Sequence, residues 1–283
     1  MMPDGHTTVV GVIGYPVRHS LSPLLHNTAF AALELNWTSV AFEVAPGRVG
    51  PALDGMRALG VAGLSVTMPH KADVAALVDE RSDVAATLGV VNCVINREGT
   101  LRGDNTDGAG FLASLARAAA FDPSGRRCLV IGAGGAARAV ILALARAGAS
   151  EVTVVNRTAI RAEEVVRLAG GVGRVHEAAA RDDEVTIRQA DLVVNATPVG
   201  MSDAGATDDA VLVPASVLHA GQVVVDLIYA PRPTRWLAAA ADAGATTVDG
   251  LGMLVHQAAA QLELWTGLPA PVDEMWRAAS GVL

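Results

Sequence analysis

Between residues 127 and 138 the chain reads Arg-Cys-Leu-Val-Ile-Gly-Ala-Gly-Gly-Ala-Ala-Arg, an apolar strand that runs straight into a glycine turn and a helix. Few local patterns restrict a fold more. Gly132, Gly134 and Ala137 occupy the three small positions of the G-x-G-x-x-G/A spacing. The first permits a tight turn, the second lets the backbone approach a pyrophosphate, and the third lets the helix lie close on the strand. Ala133, Gly135 and Ala136 complete the turn. The free N–H groups of the helix start then face the phosphates of a dinucleotide.

The next strand ends at Val155 and is followed by Asn156-Arg157-Thr158, with Arg161 one helical turn further. A site for NAD usually places Asp or Glu there, to accept hydrogen bonds from the adenine ribose. Here an arginine stands instead. A cationic, bidentate donor suits a 2′-phosphate, so the pattern favours NADP. Later strands end in Asn195-Ala-Thr197 and Asp226-Leu-Ile-Tyr229. Strand C-termini line the ligand crevice of such sheets, so these segments are expected to meet the nicotinamide half of the cofactor.

The rest of the chain keeps the same rhythm. Strands are expected over 8–13, 37–44 and 63–68, with helices over 22–35, 49–59 and 71–78 between and after them. A hairpin over 90–96 and 100–102 turns at Glu98-Gly99, and an amphipathic helix covers 107–120. Further strands are expected over 128–131, 151–155, 191–195, 223–227 and 246–248, and a helix over 251–265. Alternation of this kind makes an α/β fold of two α/β domains with helices on the faces of each sheet. Asp122-Pro123-Ser124-Gly125 offers turn residues at a boundary. Hydrophobic residues make up 51% of the 283 and aromatics only 4%, so both cores must be built from Ala, Val and Leu.

A formal net charge of −8 argues against a nucleic-acid binder, which needs a basic face. Cys93 and Cys128 are far apart and form neither a disulfide framework nor a metal-spaced set, in keeping with a reducing, cytoplasmic setting and no bound metal. No secretory signal and no membrane-spanning stretch is expected.

Lys71 is the one lysine among 21 basic residues. Arginine stays protonated at any working pH, whereas lysine is able to give and take a proton. Lys71 follows the strand ending near Met68 and sits near a helix start. Hydride transfer at a carbinol carbon needs a proton donor or acceptor at the oxygen. Asp107, at another helix start, is the carboxylate that would orient such a lysine. As a helix start it also fits a plain N-cap.

Five segments, in order, carry a resemblance. They are Gly14-Tyr-Pro-Val-Arg-His-Ser20-Leu-Ser22-Pro23, Val66-Thr67-Met-Pro-His-Lys71, Gly89-Val-Val-Asn92, Gly103-Asp-Asn-Thr-Asp107-Gly108 and Asp249-Gly-Leu-Gly-Met-Leu-Val-His-Gln257. With the glycine turn and Asn156-Arg-Thr158 they cover essentially the whole chain, which resembles the shikimate dehydrogenase family. The resemblance implies an NADP-dependent oxidoreductase of aromatic amino acid biosynthesis that reversibly reduces 3-dehydroshikimate to shikimate. It implies Ser20 and Ser22 as donors to the substrate carboxylate. Thr67, Asn92, Asp107 and Gln257 would bind ring hydroxyls, Tyr229 would lie near the substrate, and Lys71 with Asp107 would be the catalytic pair. Thr197, Leu227, Gly250 and Met253 would join the glycine turn and Asn156, Arg157, Thr158 and Arg161 around the cofactor. The family fold places a substrate domain first (1–106 with 250–283, the C-terminal helices returning to it) and a Rossmann-type NADP domain after it (107–249). A monomer or homodimer is expected.

Two positions depart from the family pattern. Ser65 stands where Asn is common, which would loosen one substrate contact or admit quinate, and Cys93 stands where Thr is usual. A quinate/shikimate dehydrogenase or an aminoshikimate-type paralogue with relaxed substrate or NAD use therefore stays open. A non-catalytic dinucleotide-binding regulatory module is the alternative from another class, and the intact Lys71 and Asp107 speak against it.

Overall fold

The computed structural model of the chain describes residues 2–177, 184–201 and 213–283. Its contacts divide into two compact units, 1–107 with 255–282 and 108–254 with 283.

The first unit opens with β1 (Thr8–Gly14), α1 (Ser22–Ala32), β2 (Trp37–Glu43), α2 (Val49–Ala58) and β3 (Gly63–Val66). The three strands are parallel, as helical crossovers require. After α3 (Lys71–Leu77) come β4 (Glu80–Arg81), α4 (Asp83–Leu88), β5 (Cys93–Arg97) and β6 (Thr100–Asp104). β5 runs antiparallel to both β3 and β6, so the sheet is mixed, with order β2-β1-β3-β5-β6-β4. Glu98 and Gly99 both take positive φ (53° and 89°), the geometry of the two-residue turn that suits a right-twisted hairpin. Ile13, Leu53, Met56, Leu64, Val66, Val74, Val91, Val94 and Leu101 form the core on one face. On the other side Trp265 is buried with its Nε1 donating to Val94 O at 3.1 Å. The C-terminal helices thus complete this unit. They are the 255–266 part of α10 (Leu251–Thr266), and α11 (Val272–Ser280), which packs on α1.

The second unit holds a fully parallel sheet of β7 (Arg127–Ile131), β8 (Glu151–Asn156), β9 (Gly173–Glu177), β10 (Leu192–Asn195), β11 (Val223–Asp226) and β12 (Thr246–Val248). Its order, β12-β11-β10-β7-β8-β9, is the doubly wound 3-2-1-4-5-6 arrangement read from the other edge. Cys128 and Val130 face one cluster, with Phe111 and Leu115 of α5 (Asp107–Ala119) and Val140, Ile141 and Leu144 of α6 (Gly135–Arg146). Leu129 and Ile131 face the other, with Trp236 and Leu237 of α9 (Arg235–Asp242). Both faces are covered, which is why the strands read as unbroken apolar runs.

Several expectations shift. The strand expected over 90–96 begins only at Cys93, because the Val91 N–H leaves the ladder to bond the Lys71 carbonyl at 2.9 Å. The strand expected over 63–68 ends at Val66. The turn at 122–125 lies inside the second unit, since α5 from Gly108 onward already packs there. No expectation covered β4, α4, β9, α9, α11 and α8 (Glu184–Gln189), and the helical turn expected at Arg161 belongs to α7 (Ala159–Val166). No helix among the described residues is long and apolar enough to cross a membrane.

Candidate active site

Lys71 is the first residue of α3, and the loop ahead of it is pinned by the buried His70, whose Nε2 donates to Val44 O at 2.6 Å. A carbonyl only accepts, so His70 must carry its proton on Nε2. Lys71 Nζ reaches Asp107 Oδ2 at 2.5 Å, with 20% of the lysine side chain and 7% of the aspartate side chain exposed. This is a charge-assisted pair largely withdrawn from water, where electrostatic contacts count for more. Asp107 does not spend its carboxylate on capping α5. Asn105 Oδ1 accepts from the Asp107 N–H at 3.1 Å and takes that task.

The other oxygen of the carboxylate is held as well. Asn92 Nδ2 donates to Asp107 Oδ1 at 2.7 Å and to Thr106 Oγ1 at 3.0 Å, and Asn92 Oδ1 accepts from Thr106 N at 2.8 Å. Asp107 therefore cannot rotate away from Lys71 without breaking a second bond. Thr106 Oγ1 in turn donates to the Gln257 backbone carbonyl at 3.0 Å. Lys71, Asn92, Asp107 and Gln257, expected together from the sequence, are linked in one network within the first unit. Thr67 follows β3, with its N–H on Ile13 O at 2.9 Å. Among the described residues Ser20 and Ser22 bond each other (Ser22 N to Ser20 Oγ, 3.3 Å) rather than this network. Ser22 is buried at the start of α1 and does not cap it; the N-cap is Leu21, with no side-chain bond.

The second unit carries the glycine turn. Gly132 has φ +118°, and a Cβ there would press on Ala196 O at 3.0 Å and on Thr197 Cγ2 at 3.1 Å. Gly134 is different: it is exposed, and nothing lies within 4 Å of where its Cβ would be. The absent side chain there leaves open space rather than relieving a clash. Gly134 caps α6 without any side-chain hydrogen bond, so the first N–H groups of that helix point outward unsatisfied by a cap. An open glycine before an uncapped helix start has the shape and the free donors that suit a diphosphate. Arg157 and Arg161 are exposed at the end of β8 and on the first turn of α7, and Asn156 Nδ2 bonds Thr158 O at 2.9 Å to shape the turn between them.

At the ends of β10 and β11 a buried polar knot fixes the loops. Asn195 Nδ2 donates to Asp226 Oδ1 at 3.1 Å, Thr197 N and Oγ1 donate to Asn195 Oδ1 at 3.0 and 2.7 Å, and Thr234 Oγ1 donates to Asp226 Oδ2 at 2.8 Å. Burial pushes Asp226 up to about 6 despite these donors. Leu227 N bonds Asn195 O, and Gly250 N bonds Ile228 O. Met253 is buried in this unit's core, and Tyr229, half-buried, has its phenol raised by burial. Thr106, Asn105, His70 and Gln261 were not singled out from the sequence. Only Gln261 carried a usable signal, lying four residues after Gln257 on one helix face.

A doubly wound sheet with an open glycine turn, joined in one chain to a unit bearing a shielded lysine–carboxylate pair, fits the class of dinucleotide-dependent oxidoreductases. Family models narrow the class. The shikimate dehydrogenase substrate binding domain matches residues 12–94, shikimate/quinate 5-dehydrogenase 114–251, and the shikimate 5′-dehydrogenase C-terminal domain 250–279. The NADP(+) shikimate dehydrogenase of Methanopyrus kandleri is 48% identical over 276 residues, 96% of this chain and 94% of its own. A crystal structure of a shikimate dehydrogenase in complex with NADP+ superposes with TM-score 0.91 at 35% identity, covering 99% of this chain and 97% of the other. The Thermus thermophilus enzyme in complex with NADP(H) and shikimate gives 0.87 at 36% identity, over 98% and 100%. The chain belongs to the shikimate dehydrogenase family.

Proposed function

We propose that the chain reversibly reduces 3-dehydroshikimate to shikimate with NADPH, as a step of aromatic amino acid biosynthesis. The observation that carries this reading is the Lys71–Asp107 pair, 2.5 Å apart and shielded from water, in a chain that also bears an open diphosphate cradle. NADPH supplies the hydride to the ketone carbon. Lys71 gives a proton to the oxygen at that carbon, and in reverse the neutral amine takes it back. Asp107 Oδ2 holds the lysine while Oδ1 is held by Asn92. Both N–H groups of Asn92 are committed within the protein, so in this geometry Asn92 serves to aim Asp107.

Ser20 and Ser22 bind the substrate carboxylate with neutral donors, Thr67, Asn92 (through its amide oxygen), Asp107 and Gln257 bind ring hydroxyls, and Tyr229 lies near the substrate. Gly132, Ala133, Gly134, Gly135 and Ala136 hold the diphosphate. Asn156, Arg157, Thr158 and Arg161 hold the 2′-phosphate side, and Thr197, Leu227, Gly250 and Met253 the nicotinamide side. Residues 1–106 with 250–283 form the substrate-binding and catalytic domain and 107–249 the NADP domain, a division supported by the break in contacts after Asp107 and Leu254. The enzyme works in the cytoplasm as a monomer or homodimer without a nucleic-acid partner. Two free cysteines and a net charge of −8 support this setting.

The test is Lys71→Met, which keeps an apolar stem and removes the proton. We expect kcat for shikimate oxidation to fall about 10²- to 10⁴-fold, the usual span for a general acid–base group. Shikimate binding by calorimetry should change far less. Wild-type turnover in that variant would overturn the mechanism.

A further inference from the structure

Asp107 stands at a boundary. It is the first residue of α5, and from Gly108 onward that helix packs in the second unit, while Lys71 and Asn92 lie in the first. A carboxylate at such a place needs ties to the lysine's own unit to keep its aim. Its N–H is tied to Asn105 and its Oδ1 to Asn92, so Oδ1 is held only as firmly as the Asn92 amide itself.

Chemistry fixes that amide. The Thr106 backbone N–H donates at 2.8 Å, so the Asn92 atom facing it is the oxygen, and the atom facing Asp107 Oδ1 and Thr106 Oγ1 is the nitrogen. Two acceptors lie around Thr106 Oγ1, the Gln257 backbone carbonyl at 3.0 Å and Asn92 Oδ1 at 3.4 Å. The nearer takes the single hydroxyl proton, which leaves Oγ1 to accept the second N–H of Asn92. Buried Thr106 thus grips both ends of one amide, the oxygen by its backbone and the nitrogen by its side chain, and leans on α10 as it does so.

We infer that Thr106 is a positioning residue for catalysis: its hydroxyl, braced against α10, holds the Asn92 amide so that Asp107 stays aimed at Lys71. A valine there leaves a buried Asn92 N–H without a partner and removes one of the three ties on the amide. The Asn92 main chain stays in place, because its N–H bonds Asp104 O at 3.0 Å and its carbonyl accepts from Val66 N at 2.7 Å. The inference rests on the reading of Lys71 and Asp107 as the catalytic pair.

The experiment compares Thr106→Val and Thr106→Ser, each alone and beside Asn92→Ala. The readouts are kcat for shikimate oxidation and KM for shikimate and NADP+, with melting temperature as the folding control. Thr106→Val should lower kcat about tenfold, the equivalent of one neutral hydrogen bond. Both KM values should stay within about twofold, because valine keeps the N–H that holds Asn92 Oδ1 and the lost aim counts in the transition state. Thr106→Ser restores the hydroxyl and should keep the parent kcat. Beside Asn92→Ala, Thr106→Val should cost nothing further, because Thr106 acts through Asn92. If Lys71→Met turns over at the parent rate, the catalytic pair is wrong and the inference falls with it. If Lys71→Met is slow, three results each overturn the positioning role alone: parent kcat in Thr106→Val, an equal loss in Thr106→Ser, or a loss that persists in full beside Asn92→Ala. Should Thr106→Val melt below the assay temperature, Thr106→Ala takes its place, and parent kcat in that variant overturns the inference.

Discussion

Arg157 sits exposed just past β8, so its contribution is to be sought in binding rather than in folding. Arg157→Ala should raise KM for NADP+ about tenfold to a hundredfold, the span of about 1.5–3 kcal/mol for hydrogen bonds to charged groups. KM for NAD+, which lacks the 2′-phosphate, should hardly move. Steady-state kinetics with both cofactors checks this, and equal losses on both would contradict the assignment. At this scale the sequence was informative about groups that break an expected pattern. A single lysine and an arginine in place of an acid stand out in any one-dimensional reading. The residues that hold them do not. Asn105 and Thr106 sat inside a recognised motif without an assigned task, because which amide caps a helix and which aims a carboxylate is decided by orientation. His70 next to Lys71 is ordinary in sequence, and its anchor, Val44 O, is 26 residues away.

The turn from β7 into α6 makes a sharp contrast between two glycines. Gly132→Ala places a Cβ at positive φ against the Ala196 carbonyl, so it should destabilise the protein by about 1–3 kcal/mol through strain. Gly134→Ala meets nothing within 4 Å, so stability should be preserved while NADP+ affinity falls. Thermal melting and cofactor titration of the two variants separate these outcomes. A stable, cofactor-binding Gly132→Ala, or an unstable Gly134→Ala, would contradict the geometry. Apolar runs such as 128–131 announced their strands. Shorter elements were missed where local signals were present but brief. α4 has Ser82 as an N-cap accepting from Ala85 N at 3.2 Å and Gly89 in left-handed conformation behind it, yet spans only six residues. α9 lies just behind Pro231 and Pro233, which read as loop, although Thr234 caps it and Trp236, Leu237 and Ala240 bury one face. β4, two exposed residues, has no one-dimensional signature and exists through its pairing with β6.

Over the whole molecule, two buried groups pull acid stability in opposite directions. His26, buried against Trp265 at 4.7 Å between ring centres, is pushed by burial from 6.5 down to about 4. Between pH 4 and 6.5 the unfolded chain binds the extra proton, so this group adds stability as pH rises. Asp226 is lifted by burial from 3.8 to about 6. There the folded chain binds the extra proton, and stability is lost as pH rises from about 4 to 6. Asp226→Asn removes the second effect, so its melting temperature should climb more steeply between pH 4 and 6 than that of the parent chain. Equal slopes would show that Asp226 does not titrate in this range. The division of the chain into a mixed sheet and a doubly wound sheet follows from the alternation of elements. The break after Asp107 does not, because a helix that begins in one unit and continues in the other leaves no composition change to read.

The most direct measurement is the initial rate of the purified protein on shikimate and on quinate, each with NADP+ and with NAD+. Shikimate with NADP+ should be strongly preferred over the other three combinations. Comparable rates on quinate, or a preference for NAD+, would contradict it and would assign to Ser65 and its neighbours a wider site than the strict biosynthetic reading allows.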